Sequence, residues 1–194
     1  AEARRDLRFW LLLLSVMIIT GCCASVVQQL ASYVSDIGYS YEVSAMVSSC
    51  SLGLMAVGKL LTGRMYDKLG VRTSTLICMA CVIGGIGILS MAASGVAFIG
   101  VFLVLFGVGC ALTTVAYPIL TTALFGNRDY SSIYGIVNVA NSVGTAVGSP
   151  IAAAIFDSQG SYVPAWYLAA ALLCVDFVVL LVMFRKKPAA EAVH

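Results

Sequence analysis

Six long apolar runs constrain this chain more than any other feature. They cover residues 9–31, 41–61, 73–93, 96–123, 131–156 and 162–184, and a helix needs about 20 apolar residues to cross a hydrocarbon core of roughly 30 Å. None shows the period-two alternation of a membrane barrel strand. Only 10% of the residues are charged and the mean hydropathy is +1.00, whereas soluble domains carry about a quarter charged residues. The expectation is an all-α integral membrane protein, a six-transmembrane-helix bundle spanning residues 9–184, with a lead-in at 1–8 and a tail at 185–194. The first run is too long for a signal peptide, and no small-residue cleavage site closes it.

The connections are short and carry turn chemistry: Ser35-Asp36-Ile37-Gly38, Ala93-Ser94-Gly95, Phe125 to Asp129, and Asp157-Ser158-Gln159-Gly160. All eleven Lys and Arg (Arg4, Arg5, Arg8, Lys59, Arg64, Lys68, Arg72, Arg128, Arg185, Lys186 and Lys187) fall near the termini, the second-to-third connection or the fourth-to-fifth connection. The other three connections carry only Asp36, Glu42 and Asp157. A missed or invented span would scramble this bias, which places both termini in the cytoplasm. The net charge of +2 gives no reason to expect a nucleic-acid partner. The seven Cys lie inside apolar runs as small hydrophobes, with no disulfide framework.

The polar stretch Gly63-Arg64-Met65-Tyr66-Asp67-Lys68-Leu69-Gly70-Val71-Arg72 is placed at the cytoplasmic turn between the second and third spans. Gly63 is expected to allow close backbone approach, Asp67 to receive helix amides or a guanidinium, and Gly70 to turn the chain at positive φ. Lys68 and Arg72 would face headgroups or pair with Asp67. The stretch resembles the G-x-x-x-D-[RK]-x-G-x-[RK] signature of major facilitator superfamily transporters, matching both glycines, the acid and both bases. In that family the signature sits between the second and third helices of a six-helix half and works as a conformational latch. The resemblance implies that role for Gly63, Asp67, Lys68, Gly70 and Arg72.

The superfamily has twelve helices in two halves around a central site, so the resemblance implies one half here, built from two inverted three-helix repeats. Arg5-Asp6-Leu7-Arg8-Phe9-Trp10 resembles the start of the seventh helix in the oxalate/formate antiporter and monocarboxylate transporter group. Phe184-Arg185-Lys186-Lys187-Pro188 resembles the end of a twelfth helix. Together they suggest a C-terminal half, with the other six-helix half (in the same polypeptide or a second chain), the lipid bilayer and a small organic anion as partners. The implied location is the plasma membrane, or inner membrane in a bacterium, and no cofactor is implied. Asp157-Ser-Gln-Gly160 faintly echoes Asp67-Lys-Leu-Gly70 on the opposite face, as inverted repeats would.

Substrate chemistry is sought in polar residues within the spans. Ser44, Ser48, Ser51, Met55 and Lys59 form one narrow stripe at about 100° per residue. Lys59 either attracts an anionic substrate from this stripe or snorkels to the cytoplasmic headgroups. On the fifth span Tyr134, Asn138, Asn141, Ser142 and Thr145 share a face, and the two amides need partners from a carboxylate or a facing helix. Gly144, Gly148 and Pro150 complete that span as a close-packing and bending element. Thr113, Thr114, Tyr117 and Thr121 flank Pro118 on the fourth span, in a gating helix or a plain bent one. Gln28 and Gln29 polarise the outer end of the first.

Asp176 is the one acid deep in a span, a candidate proton site or a protonated side chain bonded to a neighbouring helix. Cys78-Met-Ala-Cys81 spells CxxC within a helix and suggests no metal or redox centre. An enzyme is not expected: an intramembrane serine protease needs a helical His, and the sole His is His194. No Asn-Pro-Ala tripeptide supports an aquaporin pore. A homodimeric transporter or channel and a non-transporting scaffold are the alternatives to half a transporter.

Overall fold

The computed structural model describes residues 7–125 and 130–185. Arg4, Arg5, Asp6, the turn at 126–129 with Arg128, and the tail from Lys186 to His194 lie outside the described residues.

The described chain is a bundle of helices: α1 (Leu7–Asp36), α2 (Tyr41–Leu89), α3 (Val96–Gly109), α4 (Tyr117–Phe125), α5 (Tyr130–Gln159) and α6 (Val163–Arg185). Five helical stretches are long and apolar enough to cross a membrane. The sequence reading counts six, and the difference lies in α2. Its 49 residues would extend about 74 Å at 1.5 Å per residue, more than twice a hydrocarbon core. Gly70, at φ 77° and ψ 167°, breaks it into two limbs. The positive-φ turn expected at Gly70 is present, but the rest of the 63–72 stretch, expected as a polar turn, is helical on both sides of it. Lys and Arg favour helix, so nothing before Gly70 stops it.

The fourth span is interrupted too. Between α3 and α4 lies a π-helical segment, Leu112–Ala116, just ahead of Pro118, which lacks the amide that a regular helix would use. Thr113 and Thr114 turn their hydroxyls back onto the Cys110 and Ala111 carbonyls at 2.8 and 3.4 Å. Pro118 thus marks a local change in winding.

Glycines set the closest helix contacts. A Cβ on Gly148 of α5 would collide with the Gly21 carbonyl of α1, and one on Gly58 of α2 with the Gly107 carbonyl of α3. Lipid is as apolar as a leucine flank, so close packing decides which helices pair. The first span is thereby held to the fifth, and the second to the fourth. Gly58 and Gly148 lie ninety residues apart, as do Asp67 and Asp157, and Gly70 and Gly160. Gly160 also has positive φ, at 66°. The faint echo in the turns thus extends to the crossing glycines Gly58 and Gly148 of the helices that precede them.

At the end of the bundle remote from Asp67, Tyr33, Phe156, Tyr162 and Trp166 form an aromatic cluster. Phe156 and Tyr162 stack at 4.3 Å, and Tyr33 meets Trp166 edge-on at 5.6 Å. The Tyr33 hydroxyl donates to the Leu89 carbonyl at 2.8 Å, tying α1 to the end of α2. At the other end Tyr66 and Thr75 share a hydroxyl hydrogen bond of 2.7 Å across the Gly70 break.

Candidate transport site

The two polar stripes occupy equivalent positions. At the same offset of ninety, Ser44 answers to Tyr134, Ser48 to Asn138, Ser51 to Asn141, Met55 to Thr145 and Lys59 to Ser149. The core-facing Val47 and Val137 correspond in the same way, and both are buried. On α2 Ser44 and Ser51 are buried and Lys59 is exposed, whereas on α5 Asn138 is exposed and Tyr134 and Asn141 are half-buried. Comparing the sequence with itself at this offset is the signal that reveals the pairing; residue by residue the two stripes share little but polarity.

The stripes differ in how far their polar groups are already used. The Ser48 hydroxyl donates to the Ser44 carbonyl at 3.0 Å, and Ser51 is buried with its oxygen unpartnered. Ser51 shares the buried face of α2 with Val47 and Gly58. Lys59 is exposed near the end of the stripe.

On α5 more remains open. Asn138 is exposed and Asn141 half-buried, and among the described residues neither side-chain amide has a hydrogen-bond partner. Ser142 and Thr145 instead bond back to the Asn138 and Asn141 carbonyls, both at 3.0 Å. Tyr134 stacks on Tyr130 at 5.3 Å. Gln28 of α1 joins Asn141, Ser142, Thr145, Ser149 and Pro150 around a groove of about 480 Å³. Such a groove can hold a small molecule with amide and hydroxyl donors on one wall. Behind α5 a crevice of about 220 Å³, lined by side chains such as Met17, Ile151 and Leu168, is almost wholly apolar. It offers an anion nothing.

At the α2 break, Asp67, Lys68, Gly70 and Arg72 are all exposed. Among the described residues Asp67 forms no ion pair with either base, so all three charges are presented outward. The close approach expected at Gly63 is corrected, since nothing lies within 4 Å of where its Cβ would stand. The tight crossing belongs to Gly58, more than one turn earlier on the core face.

Asp176 lies away from the groove. It is 0% exposed; its Oδ2 accepts from the Ser15 hydroxyl of α1 at 2.8 Å, and its Oδ1 is buried without a partner. The Tyr117 hydroxyl is buried and unpartnered as well. Among the described residues no cluster of His, Cys, Asp and Glu could hold a metal.

Comparison with known protein families matches residues 9–194 to the Major Facilitator Superfamily. The chain belongs to that superfamily. Human monocarboxylate transporter 12 is 23% identical over 175 residues, covering 89% of this chain and 34% of the relative. The same transporter from Rattus norvegicus is also 23% identical over 175 residues, covering 89% of the chain and 36% of the relative. The chain spans about a third of these transporters' length. Among solved structures, a variant of peptide transporter POT in complex with sulfate superposes with a TM-score of 0.80 at 16% identity, over 93% of this chain and 38% of that one. A complex of the variant with alafosfalin gives 0.80 at 16%, over 96% and 40%. Superfamily membership accounts for the turn signature and for the membrane-spanning helices.

Proposed function

We propose that this chain is one half of a secondary transporter that moves a small organic anion, a carboxylate, across the membrane by alternating access. The observation that carries this reading is the α1/α5 groove, with the Asn138 and Asn141 amides open beside it. Polar groups within a membrane protein's spans carry a desolvation cost unless they meet a partner. A carboxylate between the two halves would accept from these amides, and Tyr134, Ser48 and Lys59 are the further lining residues in this proposal. The likeness to monocarboxylate transporter 12 supports this substrate class, and the oxalate/formate antiporter resemblance points the same way. In this reading the termini are cytoplasmic, the membrane is the plasma or bacterial inner membrane, and the other half closes the site. Exchange and proton-linked symport both suit such a site.

Uptake of radiolabelled formate, oxalate and short monocarboxylates by the complete transporter tests the substrate class. Lys59→Gln is expected to lower uptake of at least one anion about tenfold, as loss of one charge-assisted hydrogen bond would. Unchanged uptake of every anion would remove Lys59 from the path. A protein that moves none of them in either direction would instead be a scaffold or would carry another cargo.

Asp67, with Lys68 and Arg72, is the latch in this proposal. Its carboxylate engages a helix end of the other half in one state and lets go in the next. Asp67→Asn should slow transport about fivefold or more, a larger effect than on equilibrium binding of the anion. Weakened binding with normal exchange of bound substrate would refute the latch.

For Asp176 a second site is proposed, a proton-binding carboxyl inside the half. An ionised group with a single hydrogen bond in a lipid-embedded interior is costly, and a neutral acid is not.

A further inference from the structure

We infer that the Asp157 turn between α5 and α6 is an outer latch, docking on a helix end of the other half at the membrane face opposite Asp67. The inference rests on the latch reading of Asp67 and extends it to a residue outside the signature.

Three observations carry it. The first is the constant offset already described. The glycine of the helix crossing (Gly58, Gly148), the acid (Asp67, Asp157) and the turn glycine (Gly70, Gly160) are all ninety residues apart. In each turn the acid stands three residues before a glycine at positive φ, 77° and 66°. Because α2 and α5 cross the bundle in opposite directions, the same local geometry is presented once on each face.

The second is exposure. Both carboxylates are exposed, and among the described residues Asp157, like Asp67, has no ion pair. A carboxylate at the rim of a half can accept hydrogen bonds from amides at a helix N-terminus across the interface.

The third is the support beneath the outer turn. Where the cytoplasmic turn has Arg72, this one has Tyr162, stacked on Phe156 at 4.3 Å and on Trp166 at 5.9 Å. The Tyr162 hydroxyl donates to Gln29 Oε1 at 3.2 Å, and Gln29 Nε2 donates to Ser149 Oγ at 3.3 Å. Ser149 lines the polar groove. The Asp157 turn is thus fixed to an aromatic platform and joined by two hydrogen bonds to the wall of the proposed substrate site. Closing the outer face and remodelling the groove become one movement.

The inner and outer latches hold opposite states. Releasing Asp157 should favour the outward-open form, and releasing Asp67 the inward-open form. The test uses the complete transporter in intact cells, with Gln28→Cys as a reporter thiol at the outer end of the groove and a membrane-impermeant maleimide added outside. In that background Asp157→Asn is expected to raise the labelling rate of the reporter about fivefold, the low end for a coupling contact. Gly160→Ala, which strains the turn without touching the carboxylate, should shift it the same way. Asp67→Asn should lower it. A labelling rate that Asp157→Asn leaves unchanged or lowers would overturn the outer latch. Should Asp157→Asn raise labelling while Asp67→Asn does not lower it, the outer latch stands and the inner reading fails.

Discussion

Alanine at Gly148 should destabilise the bundle by about 1–3 kcal/mol, the usual cost of forcing extra volume into a packed interior, and Gly58→Ala should do the same. At each position the new methyl group would meet the backbone carbonyl of the facing helix, at Gly21 or Gly107. No side-chain rotation relieves a clash with backbone, so the helices must separate. The same substitution at Gly100 of α3, where nothing lies within 4 Å of the Cβ position, should raise stability by about 0.5–1 kcal/mol through helix propensity alone. Thermal unfolding in detergent distinguishes the cases by sign. If Gly148→Ala and Gly100→Ala moved the midpoint the same way, the α1/α5 crossing would not be the tight contact described.

The second large effect is expected at the Ser15–Asp176 pair. Ser15→Val removes the one hydrogen bond to a fully buried carboxyl and should cost about 1–3 kcal/mol, the penalty for stranding a buried polar group. Replacing both partners, Ser15→Val with Asp176→Leu, should recover most of that loss, because no unsatisfied atom remains. Asp176→Asn keeps an acceptor for Ser15 without a charge. It should fold as well as the parent if the carboxyl is neutral in place. A double substitution no more stable than Ser15→Val alone would show that Asp176 matters through contacts other than Ser15. Strong destabilisation by Asp176→Asn would show that the charge itself is needed, against the proton site.

Much of the fold is legible because hydropathy is a local property. Whether twenty residues prefer lipid to water depends on those residues alone, and the apolar runs state it directly. The motif around Asp67 is legible for a related reason, since its residues are contiguous. The positive φ at Gly70 is legible too, but the helical course up to it is not, because a charged, glycine-bearing stretch reads locally as a turn. The burial of Ser51 is not legible either, because an angle of about 100° per residue tells which residues share a face but not what that face meets.

The sequence by itself determined that the chain crosses the membrane, where it turns, and to which superfamily it belongs. The tertiary structure alone decided which helices pair, which polar groups are already satisfied, and that Gly70 and Gly160 share a positive φ beneath the two acids. Spanning is set by the transfer of each segment into lipid, one segment at a time. Pairing brings no such gain, since a helix flank in lipid is already in apolar surroundings. It is decided by close packing at a few glycines and by the partners that buried polar atoms find, and those contacts join residues far apart in the chain.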